Sequence, residues 1–246
     1  MVQYVILGIV QGLTEFLPVS SSGHLVILQK IFGLSNDTMA LTVVLHIGTV
    51  LSLFVFFFKD IIAAFRNRQT LLFIFLVTAA TGLIGIAGKK FFEQLFSSVG
   101  FVGIALLVTG SVLLLTRRAG GRREKTDVGD ALALGVMQGV AILPGISRSG
   151  MTISTLLFRK FDPQSAFRLS FLAAIPAIFG AALLEAKNIE ISLRANLGNY
   201  AVGFIASFLT GLFALWALRL ILRNMKFYLF GYYCIVIGII TLVFLR

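Results

Sequence analysis

Two short segments carry the residue types that could do chemistry on an anionic substrate, and they are copies of each other. Residues 8–27 read GIVQGLTEFLPVSSSGHLVI, and residues 135–154 read GVMQGVAILPGISRSGMTIS. The first copy contains a carboxylate, three consecutive hydroxyls and an imidazole, whereas the second contains a guanidinium between two serines. Polar and ionisable groups are costly inside a lipid-soluble chain, so these two motifs form the candidate site.

The first motif combines a carboxylate with a nucleophile and an imidazole. Glu15 costs about 2.5–3.5 kcal/mol to bury in a membrane, and its candidate roles there are metal ligand and general base. Gln11 precedes it by four residues and therefore shares its helix face. Ser21 is the candidate nucleophile, and His24 is the candidate residue that activates it or protonates the leaving group. The alternative for Glu15 is a carboxylate that reaches the membrane surface or is neutralised within the helices.

The second motif supplies a cation. Arg148 lies between two serines, and its planar guanidinium matches two phosphate oxygens at once. The alternatives are an arginine that extends to the membrane surface and serines that cap helices. When the copies are aligned on their closing glycines, Arg148 falls opposite Ser21, which predicts a cation and a hydroxyl on facing loops. The other residues predicted to bind the substrate are Gln11, Ser20, Ser22, Gly145, Ser147 and Ser149.

The elements that must position these residues belong to a strongly apolar chain. It has 246 residues, 58% of them hydrophobic, and a mean hydropathy of +0.99, which excludes a soluble globular domain and a disordered protein. A helix needs about 20 apolar residues to cross the bilayer core. His46, a lone histidine in one apolar window, is interpreted as a structural hydrogen bonder. Six windows are long and free of charged residues: 38–58, 70–88, 95–116, 169–184, 195–218 and 227–245.

The net charge of +11 is explained by basic loops on one side of a membrane, and no nucleic-acid partner is expected. The segment 117–125 holds five basic residues. If this segment is cytoplasmic, the alternation of six spans places eleven basic loop residues inside and four outside. The first motif then begins on the outer side of the membrane, and the second motif begins on the inner side.

The basic linker divides the chain into two halves of equivalent design. Residues 1–116 and residues 128–246 each contain one motif followed by three spans. Because three is an odd number, the two halves must have opposite orientations in the membrane. The predicted fold is an all-α integral membrane protein with six transmembrane helices plus two re-entrant helix–loop–helix hairpins in an inverted-topology repeat, forming a single membrane domain.

Each motif is predicted to fold as a hairpin of two helices too short to cross the membrane. The hairpins cover residues 1–33 and 128–160, with breaks at Val19–Gly23 and Pro144–Gly150. Non-helical backbone is tolerated at membrane depth only where protein or a water-filled cavity receives it. We therefore expect the two breaks to meet near the centre of the membrane and to line one polar cavity.

The chain resembles the undecaprenyl-diphosphate phosphatase family of bacteria, also called the bacitracin-resistance family. The resemblance rests on QGLTEFLPVSSSGH in the first half and PGISRSG in the second, and it extends over the whole chain. Many members carry Glu at the position of Gln11, so Glu15 is the only carboxylate of the motif here. The resemblance implies a divalent cation, Mg²⁺ or Ca²⁺, with Glu15 as its ligand.

The resemblance implies hydrolysis of a prenyl diphosphate lipid in the bacterial inner (cytoplasmic) membrane, at a site that opens toward the periplasmic side. The alternative is a transporter or flippase for an anionic lipid or organic anion, because inverted repeats with broken helices also form transport sites. The sequence leaves open whether serine or water attacks, which metal is preferred and what chain length is accepted. It also leaves the oligomeric state open, with a homodimer among the alternatives.

Overall fold

The structure, a computed structural model, describes residues 1–32, 38–96, 98–186 and 197–244. These residues form helices and their connections, and no strand occurs among them. A short 3-10 turn, Thr116–Arg118, follows α6. The helices are α1 Val2–Phe16, α2 Ser21–Phe32, α3 Thr38–Phe56, α4 Phe58–Phe65, α5 Arg68–Phe96, α6 Val99–Leu115, α7 Val128–Val140, α8 Arg148–Phe158, α9 Pro163–Ala186, α10 Leu197–Arg223 and α11 Leu229–Phe244.

Several helices are long and apolar enough to cross a bilayer. Within the described ranges, three qualify by length and composition: Arg68–Phe92, Val99–Arg118 and Leu197–Arg223. A fourth crossing results if α3 and α4, which meet at an angle of 69°, count as one span. Helices of this kind identify a multi-pass membrane protein.

The six predicted windows fall on α3, α5, α6, α9, α10 and α11, and the ends of the helices differ from the windows. The main difference is α4, a short helix in a segment that was predicted to be a loop. Its apolar side chains Phe58, Ile62 and Phe65 are exposed along one face, so α4 is amphipathic. This helix is shorter than any of the predicted transmembrane windows. Several predicted segments include residues that lie outside the described part of the chain, namely residues 33, 195, 196, 245 and 246.

Both breaks are shorter than predicted. α2 begins at Ser21 and α8 begins at Arg148, so the expectation that these residues lie in loops was wrong. The reason is helix capping: the hydroxyl of Ser20 accepts from the N–H of Gly23 at 3.3 Å, and that of Ser147 accepts from Gly150 at 3.2 Å. Each motif therefore presents its functional side chain from the first turn of a short helix.

Glycines bring the first helix of each motif into close contact with a long helix. Gly12 of α1 faces α10, where an added Cβ would lie 2.0 Å from the Oγ1 of Thr210. Gly139 of α7, the equivalent residue of the second copy, faces α5, where a Cβ would lie 2.7 Å from the Cδ1 of Ile84. Only a residue without a side chain permits so close an approach of the two helices.

The two motifs enter the protein from opposite ends. α1 runs parallel to α10, because Gly8 lies beside Gly203 and the later Gly12 lies beside Gly211. α7 likewise runs parallel to α5, starting at the end where the Nε2 of Gln69 donates to the backbone carbonyl of Thr126. α5 begins at this end of the molecule and α10 ends there. Because α1 runs parallel to α10, α1 starts at the opposite end.

Arginine side chains tie the connections together at the end where α7 begins, which we call the basic end. Arg123 donates to the buried carboxylate of Asp130 at 2.7 and 3.1 Å, and Arg159 binds the same carboxylate. The backbone N–H of Asp130 and the guanidinium of Arg123 lower the pKa of the exposed Asp127 carboxyl below its ordinary value. The linker after α6 is thereby held against the second motif.

Candidate functional site

The tips of the two motifs touch each other inside the protein. A Cβ added to Gly23 would lie 3.3 Å from the Cα of Gly145, and one added to Gly150 would lie 3.4 Å from the Cβ of Pro18. When the copies are aligned on their closing glycines, these two contacts are equivalents of each other. The two helix starts are thus brought face to face.

A cavity of about 240 Å³ lies beside this contact. It is close to the middle of the long helices, because His46, Thr81 and Ala177 line it from the central turns of α3, α5 and α9. Its apolar wall comes from alanine and isoleucine side chains. Its polar residues are Thr14, Glu15, Ser20, Ser21, Ser22, His46, Thr81, Gln138, Ser147 and Arg148.

Glu15 is the central acceptor of the site. One carboxylate oxygen, Oε1, accepts from the Nη2 of Arg148 at 2.5 Å. The other, Oε2, accepts from the hydroxyl of Ser21 at 2.6 Å and from the Nε2 of Gln11 at 3.1 Å. The side chain is 7% exposed, so three donors compensate its buried charge. The predicted carboxylate, hydroxyl and guanidinium therefore form one hydrogen-bonded group.

Arg148 has a donor to spare. Its side chain is 16% exposed and uses Nη2 for the ion pair with Glu15. Its Nη1 is buried and has no hydrogen-bond partner in the described part of the chain. A buried guanidinium nitrogen without a partner is costly, so an anion that enters the cavity would meet an unsatisfied cationic donor.

The serines at the two tips follow the same local pattern. Ser20 has a positive φ of 69°, and its hydroxyl lies 3.3 Å from that of Ser22. In the second copy the hydroxyls of Ser147 and Ser149 lie 3.4 Å apart. Ser20, Ser22 and Ser147 line the cavity, whereas Ser149 is buried away from it. The first three are placed to meet an anion at the helix starts.

His24 does not itself line the cavity. Its Nδ1 contacts the backbone oxygen of Ser20 at 2.8 Å, and its Nε2 contacts the hydroxyl of Tyr233 at 2.7 Å. Its ring also stacks on that of Tyr233. The group in contact with the Ser21 hydroxyl is the Glu15 carboxylate rather than the His24 imidazole.

Gln11 and Gly145 do not line the cavity and support its structure instead. Gln11 is fully buried and holds Glu15 through its amide, without lining the cavity. Gly145 has a φ of +91°, and its carbonyl accepts from the hydroxyl of Thr109 at 3.1 Å. A Cβ there would lie 2.6 Å from the backbone oxygen of Val102. The glycine is needed for the backbone turn and its packing on α6.

Four polar residues of the cavity are not among the site residues predicted from the sequence: Thr14, His46, Thr81 and Gln138. His46 is more than a structural hydrogen bonder, because its Nε2 faces the Glu15 carboxylate at 3.7 Å while its Nδ1 contacts the backbone oxygen of Thr42. Thr81 and Gln138 lie across the cavity on α5 and α7. A signal for Gln138 was present, since it occupies the position of Gln11 in the second copy.

A divalent cation would find few protein ligands here. Among the described residues, no three His, Cys, Asp or Glu side chains form a cluster that could hold a metal ion. Among the described residues, Glu15 is the carboxylate that lines the cavity, and the nearby Gln11 carbonyl oxygen Oε1 is buried without a hydrogen-bond partner. This oxygen-rich but sparse donor set fits a hard cation that takes most of its ligands from phosphate and water, as Mg²⁺ often does.

Comparisons with known proteins agree over nearly the whole chain. Residues 4–240 match the family described as "Bacitracin resistance protein BacA". A protein of Carboxydothermus hydrogenoformans named undecaprenyl-diphosphatase is 45% identical, covering 98% of this chain and 96% of the relative. Relatives with the same name from Halothermothrix orenii and Korarchaeum cryptofilum are 43% and 40% identical, with at least 96% of each chain covered.

Proposed function

The chain belongs to the bacitracin resistance protein BacA family, and we propose that it is an integral membrane phosphatase that hydrolyses undecaprenyl diphosphate to undecaprenyl phosphate and inorganic phosphate. The reaction recycles the lipid carrier of cell-wall precursors. The observation that carries this proposal is the Glu15–Arg148 pair in a buried polar cavity, with one guanidinium nitrogen left for a phosphate oxygen.

Arg148 and the two helix starts supply the electrostatic part of the mechanism. Phosphoryl transfer needs little covalent help from a protein and depends mainly on positioning and charge stabilisation. The free Nη1 of Arg148 binds an oxygen of the terminal phosphoryl group, and the N-terminal turns of α2 and α8 present backbone N–H groups to its other oxygens. The low-polarity surroundings strengthen both interactions.

Ser21 and Glu15 supply the nucleophile and its base. The Ser21 hydroxyl already donates to Glu15 at 2.6 Å, so the carboxylate can take the proton as Oγ attacks the terminal phosphorus. The bond from that phosphorus to the bridging oxygen breaks, and undecaprenyl phosphate leaves with the electron pair and with the proton from Glu15, which becomes a carboxylate again. Water then cleaves the phosphoserine and restores the hydroxyl. The alternative is direct attack by water on the substrate.

Glu15, together with the phosphate oxygens of the substrate, would hold a divalent cation, Mg²⁺ or Ca²⁺. One carboxylate among neutral oxygens is too few ligands for a metal site made by the described protein residues alone. The remaining ligands would come from the phosphate groups of the substrate and from water. When bound, the ion neutralises phosphate charge and makes the leaving phosphate more stable. Gln11 keeps Glu15 oriented toward the cavity.

We assign the chain six transmembrane helices and two re-entrant hairpins, related as an inverted repeat. Three reciprocal features support this arrangement: the capped tips, the glycine contacts of α1 with α10 and of α7 with α5, and the entry of α1 and α7 from opposite ends. α6 and α11, which end the two halves, cross through Gly110 and Gly231. The basic end is assigned to the cytoplasm.

Labelling tests this orientation. Lys226 lies at the basic end and Lys90 near the opposite end of α5, and both side chains are exposed. We expect a membrane-impermeant amine reagent, added to intact cells, to modify Lys90 and leave Lys226 unmodified until the cells are opened. Mass spectrometry of the purified protein measures both sites in one sample. Modification of Lys226 in intact cells would reverse the assigned topology.

A transporter or flippase is the second candidate function, because inverted repeats with broken helices also form transport sites. Phosphate release by the purified protein in detergent micelles separates the two, since no sealed membrane is present. We expect release from undecaprenyl diphosphate, its loss in excess chelator and its recovery with added Mg²⁺ or Ca²⁺. Absence of release under all these conditions would favour transport, and release unaffected by chelator would remove the cation from the proposal.

A further inference from the structure

Gln138 is a buried polar residue of the cavity that the mechanism above leaves without a role. It is 2% exposed and lines the cavity from α7. Its Nε2 donates to the hydroxyl oxygen of Thr81 at 3.2 Å and faces the backbone oxygen of Ala173 at 3.5 Å. Its Oε1 has no hydrogen-bond partner among the described residues.

The surrounding groups determine which way the amide points. The Thr81 hydroxyl donates its proton to the backbone oxygen of Gly135 at 3.1 Å, so its oxygen is left to accept. The carbonyl of Ala173 can only accept. Both neighbours therefore require the NH₂ group on their side, and the network excludes the flipped amide. The group that Gln138 holds in reserve is consequently an acceptor.

An acceptor in this position has few partners in a phosphatase cavity. The oxygens of an ionised diphosphate accept hydrogen bonds and repel another acceptor, so Oε1 does not bind the phosphate groups directly. Water is the reactant that brings a donor to the cavity. A glutamine carbonyl that accepts from water also directs the water's lone pair away from itself and into the cavity, which Ser21 and Arg148 also line.

The repeated Gln11 serves as an internal comparison. It occupies the same place in the first copy, but its Nε2 donates to Glu15 and it does not line the cavity. The second copy has Ile142 where the first has Glu15, so Gln138 has no carboxylate to hold. Among the described residues both glutamines have an Oε1 without a hydrogen-bond partner, but Gln138 is the one of the two that lines the cavity.

We propose that Gln138, oriented by Thr81, positions the water molecule that hydrolyses the phosphoryl group. This inference rests on the proposed phosphatase function. The water oxygen forms a bond to phosphorus, and the bond from phosphorus to the Ser21 oxygen breaks with its electron pair. One water proton stays on the inorganic phosphate, and the other passes through Glu15 to the serine oxygen. Gln138 binds the water without taking a proton, so it is a positioning residue.

Gln138→Met is the main test, because methionine fills a similar volume and removes the acceptor. We expect kcat for phosphate release from undecaprenyl diphosphate to fall roughly 10- to 100-fold, while KM changes less than about threefold. The matched control is Gln69→Met, which alters an exposed glutamine at the basic end and is expected to leave both constants unchanged. Thr81→Val, which frees the amide to rotate, should lower kcat in the same direction by a smaller factor.

Other outcomes overturn the inference in distinguishable ways. A rise in KM with unchanged kcat would make Gln138 a substrate ligand, and a higher requirement for Mg²⁺ or Ca²⁺ would make it a metal ligand. Unchanged constants in both variants would leave it no role in turnover. If Gln138→Met unfolds, judged by its melting temperature, Thr81→Val decides alone. Failure of the wild-type protein to release phosphate would instead refute the phosphatase function itself.

Discussion

Ser21→Ala is expected to abolish phosphate release, with a fall in kcat of about 1000-fold or more. The variant loses the hydroxyl that Glu15 holds at 2.6 Å at the start of α2, and no neighbouring group of the first motif replaces it in that contact. Substrate binding should survive, because Arg148 and the helix starts remain. The measurement is steady-state release from undecaprenyl diphosphate in micelles, together with the affinity for unreacted substrate.

Trapping the reaction with acid separates the two routes of attack. Wild-type protein mixed with substrate labelled in the terminal phosphate should carry the label on Ser21, and the variant should carry none. Ser111→Ala is the matched control, since this exposed hydroxyl donates only to the backbone oxygen of Leu107 on its own helix. Substantial turnover by Ser21→Ala would contradict serine attack and assign the first step to water.

Arg148→Lys is expected to lower kcat/KM about 100- to 1000-fold, a loss of about 2.7–4 kcal/mol of transition-state stabilisation. Arg148 uses one nitrogen for Glu15 and keeps another for phosphate, in a planar fork of fixed geometry. A lysine ammonium has the same charge but is a single point, so it cannot span both partners in the same way. The measurement is the same phosphate-release assay over a range of substrate concentrations.

Arg66→Lys is the control for this change, because Arg66 is exposed at the end of α4 and has no role in the proposed site. It should leave kcat/KM unchanged. If Arg148→Lys retains wild-type kinetics, positive charge alone is sufficient and the forked geometry has no function. A melting temperature close to that of the wild type shows that the loss arises in the reaction rather than in folding.

The ion pair of Glu15 with Arg148 has a consequence for the order of events. Its partners come from residues 133 positions apart, so it joins the two motifs directly. A phosphate group that binds Arg148 draws part of the guanidinium charge away from Glu15. The carboxylate then becomes a stronger acceptor for the Ser21 proton when the substrate is in place. In the proposed mechanism, substrate binding and activation of the nucleophile are coupled in this way through one arginine.

Glu15, Ser21 and Arg148 could be selected without a structure because their cost in an apolar chain requires an explanation. The duplication of the motif also indicated that the two selections belong together. The helix windows could be recognised for a different reason: the thickness of the bilayer sets the length of an apolar segment, and that length can be read from the sequence. Local capping was harder to predict. The serine-rich segments that were predicted to be loops instead contain the first residues of helices, Ser21 and Arg148.

The sequence by itself determined the class of protein, the duplicated motif and the choice of Glu15 and Arg148 as candidate residues, because these follow from composition and from the cost of polar groups in lipid. The tertiary structure decided which polar side chains share the cavity. It placed His46, Thr81 and Gln138 inside, and His24 and Gly145 outside. The reason is that a side chain's direction depends on how helices distant in sequence pack, and here glycine contacts between those helices control the packing.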